Sequence, residues 1–242
     1  MSLKALGFSG YKNSGKTTII IETARILKNR NYRVGIIKNL HGYSIDKEDS
    51  DTWKHRKVAD FVGSIGEEGA VLFDKPDSLE ELIKIMPKVD FLLIEGFKNE
   101  KTFPKIILPR SSSEIQELSD GLELGVYVED SDYDLGEDGT KKISNPEEVA
   151  NLVEDKGFKL PNVNCGDCGF NCYGLAKEIV NGNKTVNECV QLEKEVKIYI
   201  NNKELDLKGW VQGIVKNTII GMLSSLKGFK NGKIEIEIEN TE

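Results

Sequence analysis

This 242-residue chain has no apolar run approaching the length of a membrane span, and its first residues carry no signal-peptide hydrophobic segment. It also lacks a basic excess. Forty acidic residues against 33 basic ones leave a net charge of −7, which argues against nucleic acid as the main partner. No internal repeat or low-complexity stretch occurs. Histidine is nearly absent, with two residues, and cysteine is confined to four positions, all between 165 and 189. The expected setting is cytoplasmic, where thiols stay reduced and serve as ligands rather than disulfides. What is present is ordinary for a globular protein: 38% apolar and 30% charged residues.

Residues 7 to 21, "GFSGYKNSGKTTIII", hold a complete G-x-x-x-x-G-K-[ST] pattern. A short apolar strand, Leu3 to Phe8, precedes it, and the spacing predicts a helix over Thr18 to Lys28. In that context the loop turns successive backbone N–H groups inward, and the helix N-terminus adds partial positive charge. Gly10, Tyr11, Lys12, Asn13, Ser14, Gly15, Lys16, Thr17 and Thr18 are therefore the candidate phosphate contacts. Lys16 is expected to reach the β- and γ-phosphates, and Thr17 to ligate Mg²⁺.

Further buried-type strands are expected at Arg33 to Lys38, Phe91 to Ile94, Ile106 to Leu108 and Gly125 to Val128. Helices are expected at Ser78 to Met86, with the serine as cap, and, capped by Asn145, at Pro146 to Val153. Alternating helices and continuous apolar strands predict an α/β three-layer sandwich of the P-loop NTPase type, with a mostly parallel sheet covered on both faces. Its phosphate loop belongs at the carboxyl edge of the sheet.

Such a site needs an acid at the end of a neighbouring strand to hold the metal through water. Glu95 has that setting, whereas Asp90 precedes the same strand and lies at the wrong end. Asp46, Asp49 and Asp51 fall in a polar stretch expected to be a mobile loop, with Asp51 the best of the three. His41 reads as structural. No Asn-Lys-x-Asp run marks a base, so the motifs leave ATP and GTP both open.

After a short linker containing Pro161, Cys165, Cys168, Cys172 and Cys189 form C-x2-C-x3-C-x16-C. Three close thiolates and a distant fourth suit a [4Fe–4S] cubane; tetrahedral zinc is the alternative. A helix is expected over Tyr173 to Val180. Beyond the cysteines come two strands, Val196 to Ile200 and Glu204 to Leu207, then a helix from Gly209 to Leu226. Val211, Ile214, Val215, Thr218, Ile219, Met222 and Leu226 share one face of this helix, which reads as core. A last alternating strand is expected over Lys233 to Glu239.

With these pieces in place, the chain through about residue 155 resembles the MobB family of molybdopterin-guanine dinucleotide biosynthesis adaptors. The resemblance rests on "GYKNSGKTT", "IIKN" with His41, "DSDTWKHRK" and "LLIEGFK". It implies a GTP-binding, weakly hydrolysing protein that assists the enzyme joining GMP to molybdopterin. Lys16, Asp51 and Glu95 would carry catalysis, with Thr17 and Glu95 at Mg²⁺. Residues 165 to 189 resemble the small Fe–S domain of corrinoid and electron-transfer proteins through Cys165, Cys168, Cys172, Ala176, Ile179, Gly182 and Cys189.

The chain therefore divides into a nucleotide domain (1–158), a cysteine module (159–192) and a small α+β unit (193–242). It reads as a GTP-binding adaptor of molybdenum or tungsten cofactor maturation with an attached Fe–S module. The expected partners are the cofactor guanylyltransferase and molybdo- or tungsto-enzyme apoproteins, with no nucleic acid or membrane partner; a homodimer is compatible with this. Two rivals stand. One is a small-molecule kinase, for which Arg56 and Arg110 are candidate lid arginines. The other is a nucleotide-switched Fe–S or zinc scaffold.

Overall fold

A computed structural model describes residues 3–40, 42, 45–59, 62–67, 69–73, 78–128, 141–192, 196, 198–201, 203–205, 207, 209–230, 234, 236 and 238. His41 and most of the expected strand at 233–239 lie outside the described residues. Two compact units emerge, Met1–Glu188 and Cys189–Glu242.

The first unit begins with β1 (Lys4–Ser9), α1 (Lys16–Asn29) and β2 (Val34–Lys38), followed by α2 (Asp51–His55). A hairpin of β3 (Val62–Gly66) and β4 (Gly69–Phe73) comes next, then α3 (Leu79–Ile85) and β5 (Phe91–Glu95). The chain continues through β6 (Lys105–Ile107), α4 (Ser112–Leu118), β7 (Glu123–Tyr127), β8 (Lys142–Ile143) and α5 (Pro146–Lys156). The main sheet runs β2-β5-β1-β6-β7-β8, with every adjacent pair parallel. Alternation along the central strands sorts their side chains to two faces. Leu6, Phe8, Phe91 and Leu93 pack with α1 and α5, while Ala5, Leu92 and Ile94 pack with Leu79 of α3 and Phe103. Ile107 and Val126 meet Ile115 and Leu118 of α4. Both faces are covered, as the uninterrupted apolar strands require.

The helix starts follow capping chemistry. Ser78 accepts from the Glu81 amide and Asn145 from the Glu148 amide, each satisfying an orphan N–H of the first turn. The stretch expected to be a mobile loop instead contains α2, capped by Ser50 on the Trp53 amide. No residue of this helix is buried, so no apolar periodicity announces it. Strands β3 and β8 and helix α4 also went unmarked in the sequence, because each offers too few apolar residues for a period to show.

The linker after α5 is part of the first unit's core. Phe158 and Leu160 are 1% and 0% exposed, and their amides bond to the Ala5 and Thr102 carbonyls at 3.2 and 2.8 Å. Buried Lys159 donates to Glu80 (2.7 Å), the Thr102 hydroxyl (2.9 Å) and the Leu160 carbonyl (2.7 Å). Helix α6 (Cys172–Val180) belongs to the same unit, with the Tyr173 hydroxyl bonded to the Asp120 carbonyl. The divisions expected at 158 and 192 thus do not coincide with the compact units.

The second unit contains the antiparallel pair β9 (Ile198–Ile200) and β10 (Lys203–Leu205) and helix α7 (Gly209–Ser224). Here the expected core stripe is corrected. Ile214, Met222 and Leu226 are 57%, 62% and 59% exposed, while Gln212 is buried and donates to the Leu207 carbonyl at 3.0 Å. Periodicity identifies an apolar face but not a partner for it. Among the described residues this unit offers only a short hairpin beside the helix.

Candidate functional site

The phosphate loop leaves the carboxyl end of β1 and enters α1, whose N-terminal residues Thr17 and Thr18 are exposed. Asn13 (φ 65°) and Gly15 (φ 80°) are left-handed, and the Ser14 amide closes a turn on the Tyr11 carbonyl at 3.3 Å. Gly10 is required by crowding rather than by φ: a Cβ there would lie 2.4 Å from Ser14 Oγ and 2.5 Å from the Leu108 carbonyl oxygen. Lys16 arches back over the loop, donating to the Tyr11 carbonyl at 2.5 Å and to Ser14 Oγ at 3.3 Å. Lys12 is exposed at the loop tip, where its carbonyl accepts from Arg110 at 3.4 Å.

Sheet order completes the site. Because β5 inserts directly between β1 and β2, Lys38 and Phe8 flank Glu95 in register. The Glu95 carboxylate lies 3.4 and 3.5 Å from Thr17 Oγ1, and Lys38 Nζ sits 3.0 Å from it. Hard oxygens from a helix-start threonine and a strand-end carboxylate suit Mg²⁺. Asp90 is at the opposite end of β5, accepting from the Arg33 amide at 2.7 Å.

The site is rich in positive charge. Burial pulls the Lys16 pKa below the ordinary lysine value. Glu95 opposes that shift, and the charges of Lys98, Lys38 and Arg110 add to it. A polyphosphate in the loop would relieve both the desolvation and the mutual repulsion of these cations. Lys98 lies 4.0 Å over the Tyr11 ring, and the Arg110 guanidinium lies 5.2 Å from the same ring. The Tyr11 hydroxyl donates to Glu117 at 2.7 Å, which raises its pKa. Nothing in the sequence marks Lys38, and Arg110 stands out there only as a candidate lid arginine. Their roles depend on which strand ends lie side by side.

The acidic stretch divides differently from expectation. Asp46 organises its own segment, accepting from the Ser50 and Thr52 hydroxyls, both at 2.9 Å. Asp51 opens α2 with its side chain 91% exposed and 4.0 Å from Lys54, and no hydrogen bond or ion pair joins it to Thr17 or Glu95. Of the two lid candidates, Arg56 faces Asp46 at 4.0 Å and Arg110 is held by Glu114 through its side chain and its own amide.

In the cysteine loop Gly166 (φ 79°) and Gly169 (φ 83°) are left-handed, and the Gly169 amide bonds to the Gly166 carbonyl at 2.9 Å. Asn164 brackets Cys172: its side chain accepts from the Cys172 amide at 2.9 Å, and its amide approaches Cys172 Sγ at 3.4 Å. An N–H aimed at sulfur is the kind of outer-shell hydrogen bond that orients a cysteine ligand. None of Cys165, Cys168, Cys172 and Cys189 is in a disulfide, and the first two are half-buried and the last two buried. Among the described residues, no three His, Cys, Asp or Glu side chains converge as a metal site. No helix among them is long and apolar enough to cross a membrane.

Residues 5–125 match the family model described as "Molybdopterin guanine dinucleotide synthesis protein B", and residues 160–191 match one described as "Putative Fe-S cluster". The latter region contains all four cysteines. A Methanocaldococcus jannaschii protein named "Putative molybdopterin-guanine dinucleotide biosynthesis adapter protein" is 30% identical over 98% of both chains. The Haemophilus influenzae molybdopterin-guanine dinucleotide biosynthesis adapter protein is 33% identical over 62% of this chain and 87% of its own. The crystal structure of Bacillus subtilis MobB shares the fold, with a TM-score of 0.52 at 22% identity over 63% of this chain and 96% of that one. The chain belongs to the MobB family, molybdopterin guanine dinucleotide synthesis protein B.

Proposed function

We infer that this protein is a GTP-binding adapter of molybdopterin-guanine dinucleotide biosynthesis that carries an Fe–S module in the same chain. The observation that carries the nucleotide reading is the apposition of Thr17 and Glu95 at 3.4–3.5 Å beside a loop whose lysine is already arched over its mouth. The loop amides and Lys16 would hold the β- and γ-phosphates, and Thr17 and Glu95 would hold Mg²⁺, Glu95 through water. Bound Mg²⁺ would supply charge neutralisation for slow GTP hydrolysis. Asp51 is assigned to a switch-like segment, in keeping with its place in "DSDTWKHRK". The partner is the guanylyltransferase that joins GMP to molybdopterin, in the cytoplasm, and the functional modules follow residues 1–158, 159–192 and 193–242. The four thiolates are assigned to a [4Fe–4S] cluster, supported by their three-plus-one spacing and the family match over 160–191.

Anaerobic purification followed by metal and sulfide analysis, an electronic spectrum and chromatography of bound nucleotide tests both halves. Zinc without sulfide would replace the cluster, and ATP in place of GTP would overturn the base assignment. Phosphate release without any phosphorylated acceptor would count against a kinase.

Two substitutions examine the nucleotide site. Lys16→Ala removes a charge-assisted phosphate contact and is expected to weaken GTP binding by roughly tenfold to a hundredfold, with the thermal transition retained. Calorimetry giving equal affinity for variant and parent would end this assignment. Glu95→Gln should impair Mg²⁺-dependent binding more than Asp90→Asn, because only Glu95 sits at the loop end of β5. The reverse ranking in a Mg²⁺ titration would assign the metal to another acid.

A further inference from the structure

The turn after Glu95 is held in a costly shape. Gly96 (φ 87°) and then Phe97 (φ 55°) are both left-handed, and a non-glycine residue there persists only when its surroundings enforce it. Phe97 is packed against the core cluster of Ala5, Leu92 and Phe103. The turn delivers Lys98 to the phosphate loop, 4.0 Å over the Tyr11 ring and within electrostatic reach of Lys16.

The Lys98 backbone is tied in a second direction. Its carbonyl accepts from Lys105 Nζ at 3.1 Å, and that ammonium, buried at the start of β6, also binds the Asp120 carboxylate at 2.6 Å. Lys101 binds the same carboxylate. The Asp120 carbonyl accepts from the Tyr173 hydroxyl. Tyr173 follows Cys172 directly, and the Lys101 and Lys177 ammonium groups lie 5.7 and 5.3 Å from its ring centroid. A buried ammonium cannot give up an acceptor without a desolvation cost, so a displaced Lys98 carbonyl must be followed by Lys105 and Asp120.

We propose that Lys98 reads the terminal phosphate of a bound nucleoside triphosphate and relays its position, through Lys105 and Asp120, to Tyr173 at the head of the cysteine-module helix. This rests on the nucleotide reading of the phosphate loop given above. A diphosphate lacks the group Lys98 would contact, so the two nucleotides differ in their interaction with this turn, as any ligand-driven shift requires. The cysteine module thereby senses whether the loop holds a triphosphate.

The test uses the full chain, purified without oxygen, with GTPγS·Mg²⁺ and GDP·Mg²⁺ as probes. Equilibrium binding is measured for the parent, Lys98→Ala, Lys98→Arg and Lys16→Ala, and amide hydrogen exchange is followed across residues 172–180. Lys98→Ala should lose about tenfold in GTPγS affinity with GDP affinity unchanged, and Lys98→Arg should recover most of it. GTPγS but not GDP should alter exchange in α6. Tyr173→Phe should abolish that response while keeping GTPγS affinity within about threefold of the parent. Parent-like GTPγS binding by Lys98→Ala overturns the inference, as does an exchange response that is shared by GDP or survives Tyr173→Phe. If Lys16→Ala also binds like the parent, the nucleotide reading itself has failed; if Lys16→Ala alone loses binding, only the role of Lys98 has.

Discussion

Asp120→Ala is expected to destabilise the first unit by about 3–5 kcal/mol, the range for removing one partner of a buried ion pair. Its carboxylate serves two ammonium groups, Lys101 and Lys105, and the Lys105 side chain is 4% exposed. Burial raises the Asp120 pKa, but the bonds from Lys101 and Lys105 outweigh it and hold the carboxyl below its usual range. Stability from this group is therefore complete above the unfolded aspartate value and is lost as pH falls through the lower folded value. Lys105 is shifted in the opposite sense to a freely paired lysine. Burial lowers its pKa, and Asp120 only partly restores it. Without Asp120 the folded Lys105 sheds its proton more readily than the unfolded one, so the variant should regain stability as pH rises toward the ordinary lysine value of about 10.4. Urea unfolding of parent and variant across pH is the measurement. A deficit under about 1 kcal/mol at neutral pH would mean that the cluster is far more hydrated than its burial indicates.

The second large effect is expected at the linker. Leu160 is fully buried, and Leu160→Ala should cost about 2–5 kcal/mol, the range for a core leucine whose cavity cannot fully collapse. Flanking groups that cannot follow into the space fix the surroundings: Lys159 is bonded to Glu80 and Thr102, and the Leu160 amide is bonded to the Thr102 carbonyl. The nearby Glu100 carboxyl is raised in pKa, first by burial and then by Glu80. A loose tether would tolerate this substitution with little change. A midpoint shift in denaturant at constant m-value would identify the linker as part of the cooperative core, whereas no shift would restore the reading of a short linker outside it.

The phosphate loop was legible because its information is contiguous. Two glycines, a lysine and a threonine within eight positions dictate a local backbone path, and no distant residue is needed to shape it. The strand ending in Glu95 was equally legible, since four apolar residues and a glycine mark both its burial and its end. The Ser78 and Asn145 caps read correctly for the same reason: a cap bonds to an amide three residues away. The cysteine spacing, likewise, is a property of the sequence and needs no fold to be counted.

What only the tertiary structure decided is which distant pieces share an edge. Thr17 and Glu95 are 78 residues apart, and they meet because β5 pairs directly with β1. The same strand order brings Lys38 to Glu95, and the turn after β5 carries Lys98 onto Tyr11. No periodicity could have shown that Tyr173 would close on Asp120, or that Phe158 and Leu160 would enter the core as part of an expected linker. The apolar face of α7 shows the converse. A hydrophobic period records that a side of a helix avoids water, but whether another element covers it depends on packing between segments remote in the chain, and in the second unit Ile214 and Met222 remain exposed.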